Sequence, residues 1–321
     1  MWKILAPAKL NLYLEVLGPR DDDFHALETL MVPVRIFDQL SWRDNKTPTA
    51  SHAPALRIRN LLPNTSSLGE ETDNLILRAA RVLADAANVA PRGQFELIKR
   101  IPVQAGMGGG SSDAAAALVL ANRAWNLGFS YAQLQPLAAQ VGSDVPFFLS
   151  RYFHSAGAAI CRGRGERVEP VGSMPKLHFV VAQPNIGLST AEVFGQLGVA
   201  EITSAKTTNA QTAGKRRADA SHAQLSELVA TLQRGAVGQS GHQMTNRLET
   251  AATRMAPWLG QLRATFSTLG CVGQLMTGSG SAYVGVMRSA IQAQRAARFV
   301  AAQELRLSSP KIGHVFATSS C

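Results

Sequence analysis

The segment Gly106-Met107-Gly108-Gly109-Gly110-Ser111-Ser112-Asp113 is the part of the sequence best suited to chemistry. Glycines lack side chains, so the backbone N–H groups of such a segment can approach a phosphate closely. The alanine-rich residues that follow predict a helix, whose N-terminal N–H groups and positive dipole end favour an anion. A turn that merely joins a strand to a helix is the alternative, but three consecutive glycines and two serines favour a polyphosphate site.

The spacing of this segment excludes the commoner phosphate-binding loops. No Lys-Ser or Lys-Thr pair follows the last glycine, so the segment is not a Walker A loop. Ser111 stands where a dinucleotide-binding G-x-G-x-x-G motif needs glycine, which disfavours a dehydrogenase. The His-Arg-Asp and Asp-Phe-Gly motifs of protein kinases do not occur in the sequence. The segment is therefore interpreted as a polyphosphate site of another kind.

The charge balance favours an anionic partner. Lys and Arg number 32 against 22 Asp and Glu, a formal net charge of +10, and such a charge attracts nucleic acid and phosphorylated metabolites alike. Nucleic-acid binding favours aromatic side chains for stacking, but aromatic residues make up only 6% and the basic cluster Lys215-Arg216-Arg217 lies in a polar stretch. A phosphorylated small molecule is therefore favoured, with a salt-sensitive nucleic-acid-binding module as the alternative from another class.

Cysteine content and hydropathy indicate a cytoplasmic chain. The three cysteines are far apart and odd in number, which suits neither a disulfide framework nor a zinc site. Lys9 and Asn11 interrupt the apolar N-terminal stretch that a secretory signal would need. The longest apolar run, Ala114–Ala121, is far below the ~18 residues of a membrane span. We therefore expect neither a signal nor a membrane span.

Periodicity predicts the elements that must position the glycine segment. Residues 8–17 alternate as in a half-buried strand, which puts Lys9 and Asn11 on one face. Asp73 is the expected cap of a helix that ends at Ala87, and residues 102–110 are expected to be irregular, with a serine capping the next helix. Further predicted elements are a strand at 94–101, a helix at 131–141, a strand at 145–149 and a hairpin at 152–168.

The pattern restarts after Pro170 with a strand at 177–182, which places a domain boundary near residue 168. The predicted domains are 1–168 and 169–321. Residues 201–222 are polar and show little periodicity, which favours a disordered surface insertion. Other predicted elements are helices at 223–234, 246–256 and 290–304, and two strands around a Gly-Ser-Gly turn between 272 and 287.

Further segments resemble the GHMP kinases, the superfamily of galactose, homoserine, mevalonate and phosphomevalonate kinases. The resemblance follows the chain in the expected order and omits only the stretch near 201–222. Together with the glycine segment, the residues that carry it are Pro7–Leu12, Phe24–Leu27, Asp73–Ile76, Gly142–Phe148, Gly163–Glu166, Pro184–Phe194, Asn246–Glu249 and Thr277–Ser281.

The resemblance implies an α+β fold of two domains. The N-terminal domain would bind ATP and contain a left-handed β–α–β crossover, which local rules of handedness would miss. The C-terminal domain would be ferredoxin-like, and the substrate would lie in the cleft between the two. ATP and Mg²⁺ are the implied cofactors, and phosphorylation of a hydroxyl group on a small molecule is the implied reaction.

The resemblance also implies the roles of individual residues. Asp144 would be the catalytic carboxylate and Lys9 its partner, although a lone Asp before an element is more often a cap and a Lys is usually solvated. The Mg²⁺ ligands stay open, with Ser111 and Ser112 as candidates because a hydroxyl can reach a phosphate-bound ion. The ATP-binding residues would be Pro102, Gly106, Gly108, Gly109, Gly110, Ser111 and Ser112, with Asn74 and Lys99 near the base or ribose.

The acceptor implied by the resemblance is a cytidine diphosphate-linked sugar alcohol of the methylerythritol phosphate route to isoprenoids. Members of that branch typically read Asp-Gly-Tyr-His where this chain has Asp22-Asp23-Phe24-His25, and Ser281-Ala282 replaces a common proline. Phe24 keeps the ring face needed for stacking but loses a hydroxyl. Homoserine or mevalonate is the alternative acceptor. The substrate-binding residues would be Asn11, Phe24, His25, Thr190 and Phe194, with the two phenylalanines sandwiching the cytosine.

Overall fold

Two long strands form the centre of the first sheet. The computed structural model describes residues 1–22, 24–44, 54–62, 74–154, 157–204, 210–303 and 312–321. Strand β1 (Trp2–Pro19) pairs antiparallel with β2 (His25–Arg43) along almost its whole length. The predicted strand at 8–17 is therefore confirmed and is longer than expected.

The remaining strands extend this sheet on both sides. Strands β3 (Ala55–Asn60) and β4 (Gln94–Lys99) are parallel and are joined through helix α1 (Leu75–Ala87), which makes a β–α–β unit. The hairpin of β5 (Ala158–Gly163) and β6 (Arg167–Val171) adds to β2. Two later residues, Thr245–Asn246, form strand β8 beside β1, so the order is β3-β4-β2-β1-β8 with the hairpin on β2.

Helices α2 (Gly109–Ala124) and α4 (Val145–Phe153) pack with α1 on this sheet, and α3 (Tyr131–Val141) packs against these three helices. Residues 114–118 of α2 are all buried, because its small alanines let it lie between neighbouring elements. Leu118, Phe95 and Phe148 belong to the core that results. The glycine segment is thus anchored to the most buried helix of this half.

The second sheet has the ferredoxin-like strand order. Strands β7 (His178–Pro184), β9 (Gly273–Met276), β10 (Tyr283–Met287) and β11 (Ile312–Ser319) lie antiparallel in the order β11-β7-β10-β9. The accompanying helices are α5 (Thr190–Ser204), α6 (Ala210–Gln233), α7 (Leu248–Met255), α8 (Trp258–Ser267) and α9 (Ala290–Gln303). The predicted α+β class and ferredoxin-like half are confirmed, whereas the boundary at residue 168 stays a prediction.

The predicted strand at 145–149 is wrong, because these residues begin helix α4. Val145, Phe147 and Phe148 have strand propensity, but Pro146 in the first turn has the fixed φ that suits a helix start. All three apolar side chains are buried, so burial alone could not distinguish the two structures. The hairpin that follows is confirmed, although it starts at Ala158 instead of 152.

Two helix starts also differ from the prediction. Helix α2 begins at Gly109, with Gly108 as its cap, so neither serine caps it. The cap of α1 is Asn74, whose side chain accepts a hydrogen bond of 2.9 Å from the backbone N–H of Ile76. Asp73, the expected cap, lies outside the described residues.

The disordered insertion expected at 201–222 is wrong for the described residues of this stretch. Helix α5 runs to Ser204 and α6 begins at Ala210, while 205–209 lie outside the described residues. Alanine, glutamine, lysine and arginine, which are common at the start of α6, are good helix formers. Their intrinsic helix propensity therefore favours a helix here although the apolar periodicity is weak. Ser221 anchors it, since the Tyr13 hydroxyl donates to Ser221 Oγ (3.0 Å) and Ser221 Oγ donates to buried Glu28 (2.8 Å).

Within the ranges that the structure describes, no helix combines the length and the apolar character needed to cross a bilayer.

Candidate active site

One large cleft, of about 1140 Å³, collects the predicted site residues. Elements of both sheets contribute to its walls: β1, β2, the glycine segment, the start of α4, the start of α5 and the turn between β9 and β10. Ser112 is the exception, because it is completely buried behind the wall. The predicted residues that line the cleft are Lys9, Asn11, Phe24, His25, Asn74, Lys99, Pro102, Gly106, Gly108, Gly109, Gly110, Ser111, Asp144, Thr190 and Phe194.

The glycines of residues 106–110 are required by the packing of the loop. Gly106 and Gly108 have φ angles of +70° and +69°, a region that side chains disfavour. A Cβ atom on Gly106 would lie 2.0 Å from the carbonyl oxygen of Thr277, and one on Gly108 would lie 2.9 Å from the Phe148 ring. The loop is therefore clamped between the second sheet and α4, with the N-terminus of α2 at the cleft. This arrangement fits a polyphosphate bound by backbone N–H groups.

Lys9 and Asp144, which are 135 positions apart in the sequence, meet at the centre of the cleft. Lys9 Nζ lies 3.6 Å from Asp144 Oδ2 and donates a 2.6 Å hydrogen bond to Asn11 Oδ1. Lys9 is 4% exposed, whereas the Asp144 side chain is 27% exposed at the start of α4. A buried ammonium thus lies beside a partly exposed carboxylate that a hydroxyl group of a ligand could reach.

Asn11 holds Lys9 in place and is itself hydrogen-bonded to both sheets. Its side-chain amide donates to Thr29 Oγ1 (2.8 Å) on β2, and its backbone N–H donates to Thr277 Oγ1 (3.0 Å) beside β9. The predicted common face of Lys9 and Asn11 on β1 is confirmed by their hydrogen bond. Thr277 therefore links the acceptor side of the cleft to the glycine segment above it.

Lys99 lies under the start of α2 in a buried charged cluster with Asp38 and Asp113. Its Nζ donates to Asp38 Oδ2 (2.5 Å) and to Asp113 Oδ2 (2.8 Å), and all three side chains are at least nine-tenths buried. Asp38 also accepts from the backbone N–H groups of residues 100 and 101. Sequence reasoning missed both aspartates, since Asp38 sits inside a long apolar strand and Asp113 reads as an ordinary first-turn acid.

Burial and the oppositely charged neighbours act against each other on the pKa values of both Asp113 and Lys99. Burial raises the pKa of Asp113 to about 7, against the lowering effect of Lys99 and with a further raising effect of Asp38. Burial lowers the pKa of Lys99, but Asp113 and Asp38 outweigh it and raise that pKa overall. Lys99 therefore stays charged beneath the cleft, while Asp113 is the member that titrates near neutrality.

Asp113→Asn is expected to flatten the pH dependence of stability. The pKa of Asp113 rises from an ordinary 3.8 to about 7 on folding, so the folded state keeps a proton that the unfolded chain releases between these values. The free energy of unfolding contributed by this group therefore falls as the pH rises through that window, and the loss is complete above about pH 7. Denaturant unfolding of both proteins at several pH values between about 4 and 8 measures the slope. An equal slope in Asp113→Asn and the parent would contradict the assignment, and Asp85→Asn on the exposed face of α1 is the control.

The described residues offer a metal ion few ligands of their own. They contain no group of three His, Cys, Asp or Glu side chains close enough to hold an ion. Of the two candidate serines, Ser111 reaches the cleft and Ser112 does not, although the buried Oγ of Ser112 and Oδ1 of Asp113 have no hydrogen-bond partner. The hydroxyl of Ser111 is a suitable oxygen ligand for Mg²⁺, which usually keeps water and phosphate oxygens as its other ligands.

Aromatic and polar side chains form the other end of the cleft. The Phe194 ring packs against His25 with ring centroids 5.3 Å apart, and the Phe24 ring lies under the guanidinium of Arg164 at 4.7 Å. Thr190 Oγ1 is 2.8 Å from Ser279 Oγ. The expected sandwich partners, Phe24 and Phe194, thus each contact another residue, and Arg164 is a cleft residue that sequence reasoning missed. The departure at Asp23 lies outside the described residues.

The protein families and the curated relatives that match this sequence are both kinases. Residues 74–151 match the family "GHMP kinases N terminal domain", and residues 228–305 match "GHMP kinases C terminal". The chain is 36% identical over 282 residues to the 4-diphosphocytidyl-2-C-methyl-D-erythritol kinase of Pelotomaculum thermopropionicum, with 88% of each chain covered.

Solved structures agree as well. The crystal structure of a 4-(cytidine 5'-diphospho)-2C-methyl-D-erythritol kinase superposes with a TM-score of 0.72 at 30% identity and covers 100% of both chains. A homoserine kinase from Cytophaga hutchinsonii gives a TM-score of 0.71 at 16% identity, covering 99% of this chain and 94% of its own, so it shares the fold alone. The chain belongs to the 4-diphosphocytidyl-2-C-methyl-D-erythritol kinase family, a branch of the GHMP kinases.

Proposed function

We propose that the chain transfers the γ-phosphoryl group of ATP to the 2-hydroxyl of 4-diphosphocytidyl-2-C-methyl-D-erythritol. The observation that carries the proposal is a single cleft that joins a glycine-lined helix start, a Lys9–Asp144 pair and an aromatic end with His25. The identity of the acceptor comes from the two relatives described above, which are kinases of 4-diphosphocytidyl-2-C-methyl-D-erythritol. Homoserine or mevalonate as acceptor would not need an aromatic platform with a polar edge.

Phosphoryl transfer leaves little covalent chemistry for the protein, which must instead supply a proton acceptor and stabilise negative charge. Asp144 Oδ2 accepts the proton of the attacking hydroxyl, and Lys9, 3.6 Å away, offsets negative charge on the transferred phosphoryl group. The backbone N–H groups at the start of α2 orient the polyphosphate, and Asn74 and Lys99, which line the same cleft, would lie near the base or ribose. Ser111, which lines the cleft at the glycine segment, would help to hold Mg²⁺, and the bound ion would neutralise further charge on the phosphates.

One assay tests the acceptor directly. ATP consumption is measured with 4-diphosphocytidyl-2-C-methyl-D-erythritol, homoserine and mevalonate offered to the same enzyme preparation. The proposal expects efficient turnover of the cytidine compound alone. Efficient turnover of homoserine or mevalonate with the cytidine compound ignored would overturn it and leave only the broader assignment of a small-molecule kinase.

Phe24→Ala is expected to raise the Michaelis constant for the acceptor by roughly 10-fold. Stacking of a base on an aromatic ring is worth ~1–3 kcal/mol in single-strand binding, and Phe24, 47% exposed at the cleft, offers such a face. The Michaelis constant for ATP should barely move, because the ring lies at the acceptor end. Steady-state kinetics with each substrate varied in turn provides the measurement.

His25→Ala should act in the same direction, since it leaves polar edges of the base without a partner. Phe153→Ala is a matched control, as Phe153 is 41% exposed on α4 and does not line the cleft. If Phe24→Ala and Phe153→Ala gave equal acceptor constants, the stacking role of Phe24 would be wrong.

A further inference from the structure

Arg164 is a cation of the cleft that the mechanism does not use. Among the described residues, the lysines and arginines that line the cleft are Lys9, Lys99 and Arg164. Lys9 faces Asp144, and Lys99 faces two carboxylates. The ion pairs formed within the described part of the chain leave Arg164 without a carboxylate partner. Arg164 is therefore the cation best able to receive an anionic group of a ligand.

The side chain of Arg164 is held in place by two contacts that leave donors free. Its guanidinium lies 4.7 Å above the centroid of the Phe24 ring, and its Nη2 donates to the carbonyl oxygen of Ala139 (3.0 Å) in the last turns of α3. A guanidinium has five N–H donors in one plane. Stacking uses the face of that plane, so the remaining edge can still donate to phosphate oxygens.

The turn that carries Arg164 also touches the reacting end of the cleft. A Cβ atom on Gly165 would lie 3.7 Å from Asp144 Oδ1, so the backbone beside Arg164 packs against the catalytic carboxylate. The turn is fixed because Glu166 accepts a hydrogen bond from the backbone N–H of Arg164 (2.5 Å). Arg164 thus lies between the aromatic platform and the proton acceptor.

The turn that carries Phe24 is also fixed by hydrogen bonds of its own. The turn between β1 and β2 is closed by a 2.8 Å hydrogen bond from the backbone N–H of Arg20 to the carbonyl oxygen of Phe24. The guanidinium of Arg20 also donates two hydrogen bonds, of 2.9 and 3.0 Å, to the carboxylate of Asp22. The ring therefore stands at a defined position under Arg164. Phe24 is nevertheless 47% exposed, so part of its ring remains open to a base.

We propose that Arg164 binds the diphosphate of the acceptor and at the same time holds Phe24 as the platform for its base. The proposal rests on the proposed function, because an acceptor whose base lies at Phe24 and whose hydroxyl lies at Asp144 must carry its diphosphate past Arg164. Arg164 is then a specificity-determining residue, because it makes a cytidine that bears phosphates bind more tightly than one that does not.

The test compares the binding of CDP and of cytidine by calorimetry, with the nucleotide site filled by a non-hydrolysable ATP analogue. The ratio of the two dissociation constants isolates the contribution of the phosphates. Arg164→Gln should lower the preference for CDP by about 10-fold or more, the size expected for lost charge-assisted hydrogen bonds. Arg164→Lys should keep part of the preference, since it retains a point charge but loses the planar fork. The Michaelis constant for ATP should stay unchanged in both.

Arg167→Gln is the matched control, because it removes the same charge from an exposed position three residues along the same hairpin. An unchanged CDP preference in Arg164→Gln, an equal loss in Arg167→Gln, or an equal weakening of CDP and cytidine would overturn the diphosphate assignment. If the parent enzyme neither binds CDP nor turns over the cytidine compound, the proposed function is wrong, and the role of Arg164 is wrong with it. Turnover by the parent with an unaltered preference in Arg164→Gln would overturn the role of Arg164 alone.

Discussion

Asp144→Asn is expected to lower kcat by about 100-fold or more, the usual size of the loss of a general base. Asparagine has the same shape and can keep its place 3.6 Å from Lys9, but it cannot take the proton of the attacking hydroxyl. The Michaelis constants for ATP and the acceptor should change far less, because the substrates are held by other parts of the cleft. Steady-state kinetics at saturating ATP gives both quantities.

The substitution should not disturb the fold, which makes the kinetic result easy to interpret. Asp144 precedes α4 without forming a side-chain cap hydrogen bond, so no helix cap is lost. Thermal unfolding of Asp144→Asn checks this, and Asp85→Asn on the exposed face of α1 is the control for the loss of one carboxylate. Lys9→Met keeps the packed stem of the lysine and removes its charge. Near-normal turnover in both Asp144→Asn and Lys9→Met would rule out the catalytic pair.

The sequence could predict the elements whose periodicity is strong and whose ends carry a signal. Residues 131–141 form the helix predicted for them, and Gly142 ends it. The common face of Lys9 and Asn11 also followed from alternation alone. In each case the local pattern and the tertiary environment demand the same structure, so reading the pattern is enough.

The sequence misled where local propensity and tertiary context differ. Residues 145–149 have the composition of a buried strand, yet they start α4 because that helix fills the space beside α2. Residues 210–222 carry a helix whose apolar stripe is weak, and its anchoring through Ser221 joins positions about two hundred residues apart. Such contacts leave no local signal.

The candidate site also contains some residues that the sequence reveals and others that only the fold brings together. Its glycine segment is visible in the sequence because the chemistry demands a continuous motif. Lys99, Asp38 and Asp113 come together only in the fold, as do Arg164 and Phe24. Side chains that hold a cleft residue in place are drawn from any strand or turn that reaches it, so their sequence spacing is not constrained.

Gly109→Val is expected to raise the dissociation constant for ATP by about 100-fold or more. A Cβ atom on Gly109 would lie 2.8 Å from Lys99 Nζ and 3.0 Å from Ile101. Lys99 cannot swing away cheaply, because Asp38 and Asp113 hold it in a buried cluster. The start of α2 must shift instead. The loss of two charge-assisted hydrogen bonds from its backbone N–H groups to phosphate oxygens, at ~1.5–3 kcal/mol each, gives the stated factor. Calorimetry with a non-hydrolysable ATP analogue measures the affinity.

Gly260→Val is the matched control for this substitution. Gly260 lies in α8 away from the cleft, and the nearest atom to a Cβ there is 4.0 Å away on Thr253, so ATP affinity should be unaffected. Thermal unfolding of both variants separates a local effect from loss of the fold, and Gly109→Ala, which adds only the Cβ atom, serves if the valine proves too disruptive. Because even this single atom must enter the space of Lys99, an ATP affinity equal to that of the parent in a folded Gly109→Ala or Gly109→Val protein would show that the glycine segment does not hold the polyphosphate.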